Sequence, residues 1–441
     1  MRLIDRFILQ FLGKNHFRSH LTRRFKNNLQ AFFQSGRQIK FNAAANPDVS
    51  VIIPVFNSAH HTYRCLQSLV AEPNVSLEVI IFDNASTDAT TELLQRCENI
   101  TVVRSAENLG FVGAVNAAAR HANGRFMLIL NNDATILSGS IRDATGIFDA
   151  EPNVGAVGPR IKLATGHVQE AGSIIFQDGT TDGYLRNKKN DDPSGMYMRD
   201  VDFCSGVFFL MERSQFASIG GLDEAFAPAY YEDTDLCMRL RARDLRIIYN
   251  PSILVEHFEF GSQPSAAAFA AISERRPIFL QKWQATLDSE GYDKPEVPNE
   301  IASRRLVARP RLLLILDRGA PEKLPGSIRS SIQSAIGKNW KVSLFIMGLR
   351  HVSWQKFHAL FGNKIELIFN RRSDELFKLL LARKGYFDLI GAIGPQSTAA
   401  LQKLRSIAPD CLTGTECFMG AEASKLEQIV EKLSDGKTTQ G

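Results

Sequence analysis

The sequence predicts an α/β protein, a mostly parallel sheet flanked by helices with a smaller α/β unit behind it, and three observations carry that prediction. The chain has 441 residues, two to three times the length of a typical domain. From Val49 onward, short β-branched or apolar runs alternate with segments of helical composition, the succession that buries a parallel sheet between helices. A stretch at 288–310 holding Pro295, Pro298 and Pro310 then separates this pattern from a second one. The expected organisation is a basic amphipathic helical segment at 1–47, a main domain at 48–287, a linker at 288–310 and a Rossmann-like half-domain at 311–434.

Taken in order, residues 1–40 hold nine Lys or Arg against one acid, within a net charge of +5 for the whole chain. Leu3, Ile4, Phe7, Ile8, Phe11 and Leu12 recur at helical spacing, and Phe17, Leu21, Phe25, Leu29 and Phe32 continue the rhythm among Arg18, Arg23, Arg24 and Lys26. Such a face suits an anionic membrane surface, its apolar side in the acyl boundary and its basic side among headgroups, or equally a packed seat on its own domain. Asp5 and Arg6 interrupt the apolar stretch, which argues against a secretory signal. The expectation is a cytoplasmic protein, peripheral at the inner membrane through residues 1–40.

The strands expected next are Val49–Val55, Leu77–Phe82, Ile100–Val103 and Arg125–Leu130, separated by helices at 59–71, 86–97 and 111–122. An irregular stretch at 155–215 follows, with strand-like pieces at Ser173–Phe176 and Val207–Met211. A helix near 233–244, a strand at Arg246–Tyr249, a loop at 256–265 and a helix at 266–287 close the unit. The second pattern predicts strands at 311–316, 341–347, 365–369 and 387–393, with helices near 325–337 and 373–384.

Composition narrows the function. A hydrophobic fraction of 44% and a charged fraction of 22% are those of a folded globular chain, and no apolar run reaches the ~20 residues of a bilayer span. Six scattered cysteines form no CxxC pair, as in reduced thiols rather than a disulfide framework. No GxGxxG follows the first strand, which disfavours a nicotinamide enzyme, and no feature calls for nucleic acid. In an open parallel sheet ligands bind beyond the carboxyl ends of the strands, and here each end is polar. They read Pro54-Val-Phe56-Asn57, Asp83-Asn84-Ala-Ser86-Thr-Asp88, Glu107-Asn108-Leu-Gly110-Phe111 and Asn131-Asn132-Asp133. Further on stand Gly220-Gly-Leu-Asp223-Glu-Ala-Phe226, Tyr231-Glu232-Asp233-Thr-Asp235-Leu-Cys-Met-Arg239 and His257 within Glu256-His-Phe-Glu-Phe-Gly-Ser262.

From about Val49 to Trp283 these motifs, in this order and spacing, resemble the inverting glycosyltransferases of family 2, whose fold is GT-A. Within the family the likeness is to rhamnosyltransferase-like enzymes of bacterial surface polysaccharide assembly. Residues 308–400 resemble the opening half of a GT-B glycosyltransferase. The resemblance implies a nucleotide diphosphate sugar donor, a glycan or lipid-linked acceptor, and a divalent metal, Mg or Mn. It implies nucleotide-sugar contacts from Pro54, Phe56, Asn57, Asp83, Asn108, Gly110, Asn116, Asn132 and Asp133, metal ligation by Asp133 and His257, and base catalysis by Asp233 with Glu232 as runner-up.

Physical chemistry is compatible with each role and offers a plainer use beside it. A carboxylate at Asp83 accepts a pyrimidine imide proton, or serves an Asx turn. Gly110 at a helix start offers N–H groups to phosphate, or marks a simple loop–helix junction. Asp133 neutralises a leaving diphosphate through a metal, with only one carboxylate where such enzymes usually carry D-x-D. His257 suits Mn²⁺ or is a satisfied structural histidine. Glu232 and Asp233 at a helix start are expected to have lowered pKa values, and capping is their plainer role. Asp235 and Arg239 are spaced for an i, i+4 pair. The alternative function is a catalytically idle scaffold that binds nucleotide sugar.

Overall fold

The structure, a computed structural model, describes residues 13–259, 265–290, 309–317, 324–347, 354–369, 373–383, 386–412 and 415–419, with Leu426, Gln428 and Val430. The helix expected over Leu3–Leu12 lies outside the described residues. The chain divides into two units, residues 1–190 with 200–294, and residues 191–199 with 295–441.

The first unit opens with α1 (Gly13–Gln34). Its four-residue rhythm closes on the protein itself, because Phe17, Leu21, Phe25, Leu29 and Phe32 are all buried. Phe25 meets His61 and Phe258 edge-on at ring distances of 5.8 and 5.6 Å, and Phe32 lies 4.7 Å from Tyr63. This corrects the expectation of a membrane-facing surface over these residues: the apolar side is already covered by α2 (Ala59–Val70) and the Phe258 ring, and only the basic side meets solvent. Among the described residues no helix is long and apolar enough to cross a membrane.

The central sheet begins with β1 (Val49–Val55) and continues through β2 (Leu77–Asp83), β3 (Thr101–Arg104), α3 (Gly110–Ala119) and β4 (Phe126–Leu130). Every residue of β1 and β4 is buried, as a run such as Val-Ser-Val-Ile-Ile-Pro-Val requires when both faces are covered. By contrast β3 is the edge strand and mostly exposed, so the expectation of two-sided burial fails there. The later elements are β5 (Ala134–Ile136), β6 (Val154–Leu163), β7 (Val168–Ala171), β8 (Phe208–Glu212), α4 (Glu232–Arg241), β9 (Arg246–His257) and α5 (Ser265–Glu290). Strand order is β9-β6-β8-β4-β1-β2-β3; β5 pairs β9 and β7 pairs β6. Strands β4, β1, β2 and β3 run parallel, β8 is antiparallel between β4 and β6, and β9 is parallel to β6.

One strand was not predicted and another exceeds its predicted extent. Strand β6 was hidden in the irregular stretch because Gly155, Gly158 and Pro159 dilute its β-branched signal. Strand β9 runs twelve residues instead of four, taking a register shift between Asn250 and Leu254 where Pro251 cannot donate to the ladder. The extension matters, since it ends at His257, opposite Ala134 of β5.

The second unit is a five-stranded, fully parallel sheet of order β12-β11-β10-β13-β14. Its elements are β10 (Arg311–Leu316), α6 (Gly326–Gly337), β11 (Lys341–Ile346), α7 (Trp354–Phe361), β12 (Ile365–Phe369), α8 (Ser373–Ala382), β13 (Leu389–Ile393), α9 (Pro395–Ile407) and β14 (Glu416–Met419). Side chains alternate along β10, so Leu312, Leu314 and Leu316 enter one core and Leu313 and Ile315 the opposite one. Residues 191–199 belong to this unit: the Met198 amide donates to Asn363 O at 2.8 Å, and Lys341 Nζ stands 5.2 Å from the Tyr197 ring.

Candidate active site

The carboxyl ends of β1 and β2 form a closely tied pair of loops. Asp83, 1% exposed, accepts the Ser86 amide at 2.9 Å and the Arg104 guanidinium at 2.7 Å. The register explains the second partner: Asp83 lies opposite Arg104 in the β2–β3 ladder. Asn57, in the left-handed region at φ 56°, accepts the Thr87 and Asp88 amides at 2.8 and 3.2 Å through Oδ1, and its own amide donates to Ser86 Oγ at 2.8 Å. Its side chain therefore shapes the Asp83 loop. Pro54 is buried opposite Phe82, whereas Phe56 is 41% exposed and leaves an aromatic surface at the strand end.

The α3 terminus departs from expectation. Asn108 Oδ1 accepts the Gly110 amide at 2.9 Å, and Pro228 O accepts those of Phe111 and Val112 at 2.7 and 3.1 Å. Gly110 is required for another reason: at φ 71° a Cβ there would fall 2.5 Å from the Pro228 side chain. These amides are thus committed within the protein and do not stand ready for phosphate. Asn116 is corrected as well. Its Nδ2 donates to Leu222 O at 2.8 Å and its Oδ1 accepts the Leu222 amide at 2.9 Å, so both ends of the amide hold the 220–222 loop.

At the end of β4 the three polar residues separate in role. The Asn131 amide donates to Val207 O at 3.0 Å, and Asn132 Nδ2 donates to Thr62 Oγ1 at 3.1 Å, anchoring the loop to β8 and α2. Asp133 instead meets His257, whose Nε2 lies 3.0 Å from its Oδ1. On the far side of the ring, His257 Nδ1 lies 2.8 Å from Gln169 Oε1. Burial works against charge on His257, but the Asp133 carboxylate, with Glu259 and Glu170 farther off, lifts its pKa above the ordinary value. Arg18 of α1 stacks over Phe258, 4.5 Å from the ring centroid, in the field of Glu259 and Asp133. Among the described residues no cluster of three or more His, Cys, Asp or Glu is grouped to hold a metal ion.

Glu232 and Asp233 open α4 after two left-handed residues, Tyr230 and Tyr231, at φ 76° and 69°. The helix dipole does not decide their ionisation. Burial raises both pKa values, with Asp233 adding to the rise at Glu232, which goes well above the carboxylate range. Glu232 Oε2 is buried with no hydrogen-bond partner. Asp233 is better served: Oδ2 accepts the Gly206 amide at 2.9 Å and Oδ1 the Thr234 amide at 2.7 Å. Asp235 is structural, bound to Arg239 at 2.7 Å and accepting the Trp283 indole N–H of α5 at 2.8 Å.

Four participants escaped the sequence reading. Arg104 was detectable as a charge opposite Asp83, had β3 been extended by one residue. Gln169, Glu170 and Gly206 lie in the irregular stretch, where no periodic signal points to them.

Residues 50–220 match the family model described as Glycosyl transferase family 2. The chain is 27% identical over 272 residues to the N-acetylglucosaminyl-diphospho-decaprenol L-rhamnosyltransferase of Mycobacterium tuberculosis, covering 54% of this chain and 87% of that protein. It is 27% identical over 240 residues to the O-antigen biosynthesis protein RfbC of Myxococcus xanthus, covering 52% of this chain. The chain spans only 19% of the length of that protein, and 25% of the Sinorhizobium fredii protein y4gI that it also matches. Among solved structures it is similar to the mannosyltransferase PcManGT of Pyrobaculum calidifontis in complex with GDP-Man and Mn2+, at 20% identity and a TM-score of 0.39 over 66% of this chain and 77% of that one. With its motifs at the strand ends, the first unit is similar over residues 50–220, most of its central sheet, to glycosyl transferase family 2.

Proposed function

We propose that this chain is an inverting glycosyltransferase that moves a sugar, rhamnose in the first instance, from a nucleotide diphosphate to a hydroxyl of a glycan or lipid-linked acceptor in bacterial surface polysaccharide synthesis. The observation that carries the reading is the gathering of Asp83, the Asp133–His257 pair and Asp233 at the polar end of one sheet. The Mycobacterium tuberculosis relative supports the choice of sugar and of a lipid-linked acceptor.

In this reading Phe56 and the Asp83 loop receive the base of the nucleotide. Asp133 and His257 would hold a divalent metal, Mg or Mn. The donor set is partial: one carboxylate and one imidazole, both buried, bond each other directly at 3.0 Å, and an ion held by both would take the place of that hydrogen bond. When bound, such an ion supplies Lewis acidity to the leaving diphosphate. Gln169 fixes the plane of the His257 ring. Asp233 removes the acceptor proton, and its two backbone amide donors favour the ionised form that a base needs. Glu232, pushed toward its neutral form beside it, keeps a second negative charge out of the pocket.

The test is nucleoside diphosphate release by the full chain from dTDP-rhamnose, UDP-N-acetylglucosamine and GDP-mannose, each with an N-acetylglucosaminyl-diphospholipid acceptor, followed by NMR of the product anomer. Release with inverted configuration is expected. A retained configuration, or tight donor binding with no release from any pair, overturns the reading.

A further inference from the structure

Glu170, on β7, is a buried carboxylate that none of the steps above uses. Its Oε1 accepts the Ser205 amide at 3.2 Å and its Oε2 accepts the Ser173 hydroxyl at 3.1 Å. The very next amide, that of Gly206, donates to Asp233 Oδ2 at 2.9 Å. Two carboxylates from different elements thus hold consecutive N–H groups of one turn. Gly206 has no side chain to restrict that turn, and a Cβ there would come no nearer to a neighbour than 3.4 Å, at the Phe111 ring, with Asp233 at 3.8 Å. Its backbone is therefore held by its hydrogen-bond acceptors more than by sterics.

We infer that Glu170 is a positioning residue for the base: by holding the Ser205 amide it aims the adjacent Gly206 amide at Asp233. The inference rests on the reading of Asp233 as the base. Its neighbour Gln169 does the corresponding service for His257, so two adjacent residues of β7 reach both sides of the site. The groups that act electrostatically on Glu170 are Asp233 from α4 and Arg186 from the turn after residue 183, and Glu170 in turn acts on His257 of β9. Burial first, and then the Asp233 charge, push its pKa up to about 7, so its charge state changes across the working pH range.

The experiment measures dTDP release from dTDP-rhamnose and dTDP affinity by calorimetry in wild type, Glu170→Ala, Glu170→Gln and Asp233→Asn; if wild type turns over UDP-N-acetylglucosamine instead, that donor and UDP replace them. Glu170→Ala should lower kcat by at least about tenfold while donor KM and nucleotide affinity stay within about twofold. Glu170→Gln keeps an acceptor for the Ser205 amide and a donor for Ser173, so kcat should return to within about threefold of wild type. Because Asp233 and burial raise the Glu170 pKa to about 7, Glu170 is largely neutral on the acid limb, and Gln should leave that limb in place. Wild-type kcat in Glu170→Ala overturns the inference, as does a loss that Gln leaves unrescued. Should the Ala variant fail to fold, Glu170→Met, which keeps the side-chain volume but offers the Ser205 amide no acceptor, decides, and wild-type kcat in it overturns the inference. If Asp233→Asn keeps wild-type turnover, the base assignment is what fails, whereas an inactive Asp233→Asn beside a fully active Glu170→Ala isolates the failure to the positioning role.

Discussion

Asp83 and Arg104 face each other across neighbouring strands, but their surroundings differ: the carboxylate is 1% exposed and the guanidinium side chain 49% exposed. Arg104→Ala leaves a buried carboxylate with a lost partner, at a cost of order 1–3 kcal/mol, and it frees the carboxylate to turn. We therefore expect Arg104→Ala to lower the melting temperature and to weaken nucleotide binding by calorimetry, with kcat at saturating donor less affected. At the base, Asp233→Asn should lose about 10²–10⁴ in turnover with donor affinity within a few-fold, and Glu232→Gln should lose less. The pH dependence follows in sign. The base works ionised and burial raises its pKa, so kcat/KM should fall on acidification at a pH above the ~3.9 of an exposed aspartate. Metal dependence belongs to this scale too. Chelation, Asp133→Ala and His257→Ala should each abolish turnover while circular dichroism stays unchanged, and full activity after chelation refutes the ligand assignment. The places of Asp83, Asp133 and Asp233 in the fold were legible in the sequence because each sits at or beside the end of a regular element. Arg104, Gln169 and Glu170 were not, because their roles arise from pairing register and from a segment without periodicity.

Helix α1 shows what a repeating apolar spacing does and does not say. It announces a helix with one apolar side, yet the surface receiving that side is fixed by tertiary packing alone. Here the receiver is α2, together with Phe258 beside His257. A truncation starting at residue 41 removes six buried apolar side chains of the described residues at once, Ile39 among them, so it should lose stability rather than merely an attachment. Phe25→Ala alone should cost about 3–5 kcal/mol and lower the melting temperature by several degrees. Reversing the exposed charges Arg23 and Lys26 should leave the melting temperature nearly unchanged. The same reasoning explains why β9 was underestimated. A proline and a bulge broke the alternation that marks a strand, although the ladder resumes beyond them and delivers His257.

Across the whole molecule, the second unit has the strand order that usually places an anion at the reversal between β10 and β13. That position is already filled from within. Asp317 accepts the Gln396 and Ser397 amides at 3.0 and 2.5 Å, at the start of α9, and a side chain on Gly394 would collide with it. We expect one nucleotide-sugar site per chain by calorimetry. A second site of similar affinity refutes this.

The nine residues 191–199 that complete the second unit also set an order of events during synthesis. They leave the ribosome about a hundred residues ahead of β10, a lag of roughly 5–20 s at ordinary translation rates. Throughout that interval Met196, Tyr197 and Met198, all buried in the finished protein, have no partner strand to cover them. A nascent chain halted between residues 200 and 300 should therefore be the form most readily captured by chaperones, and shortening the gene at the linker would make that transient state permanent.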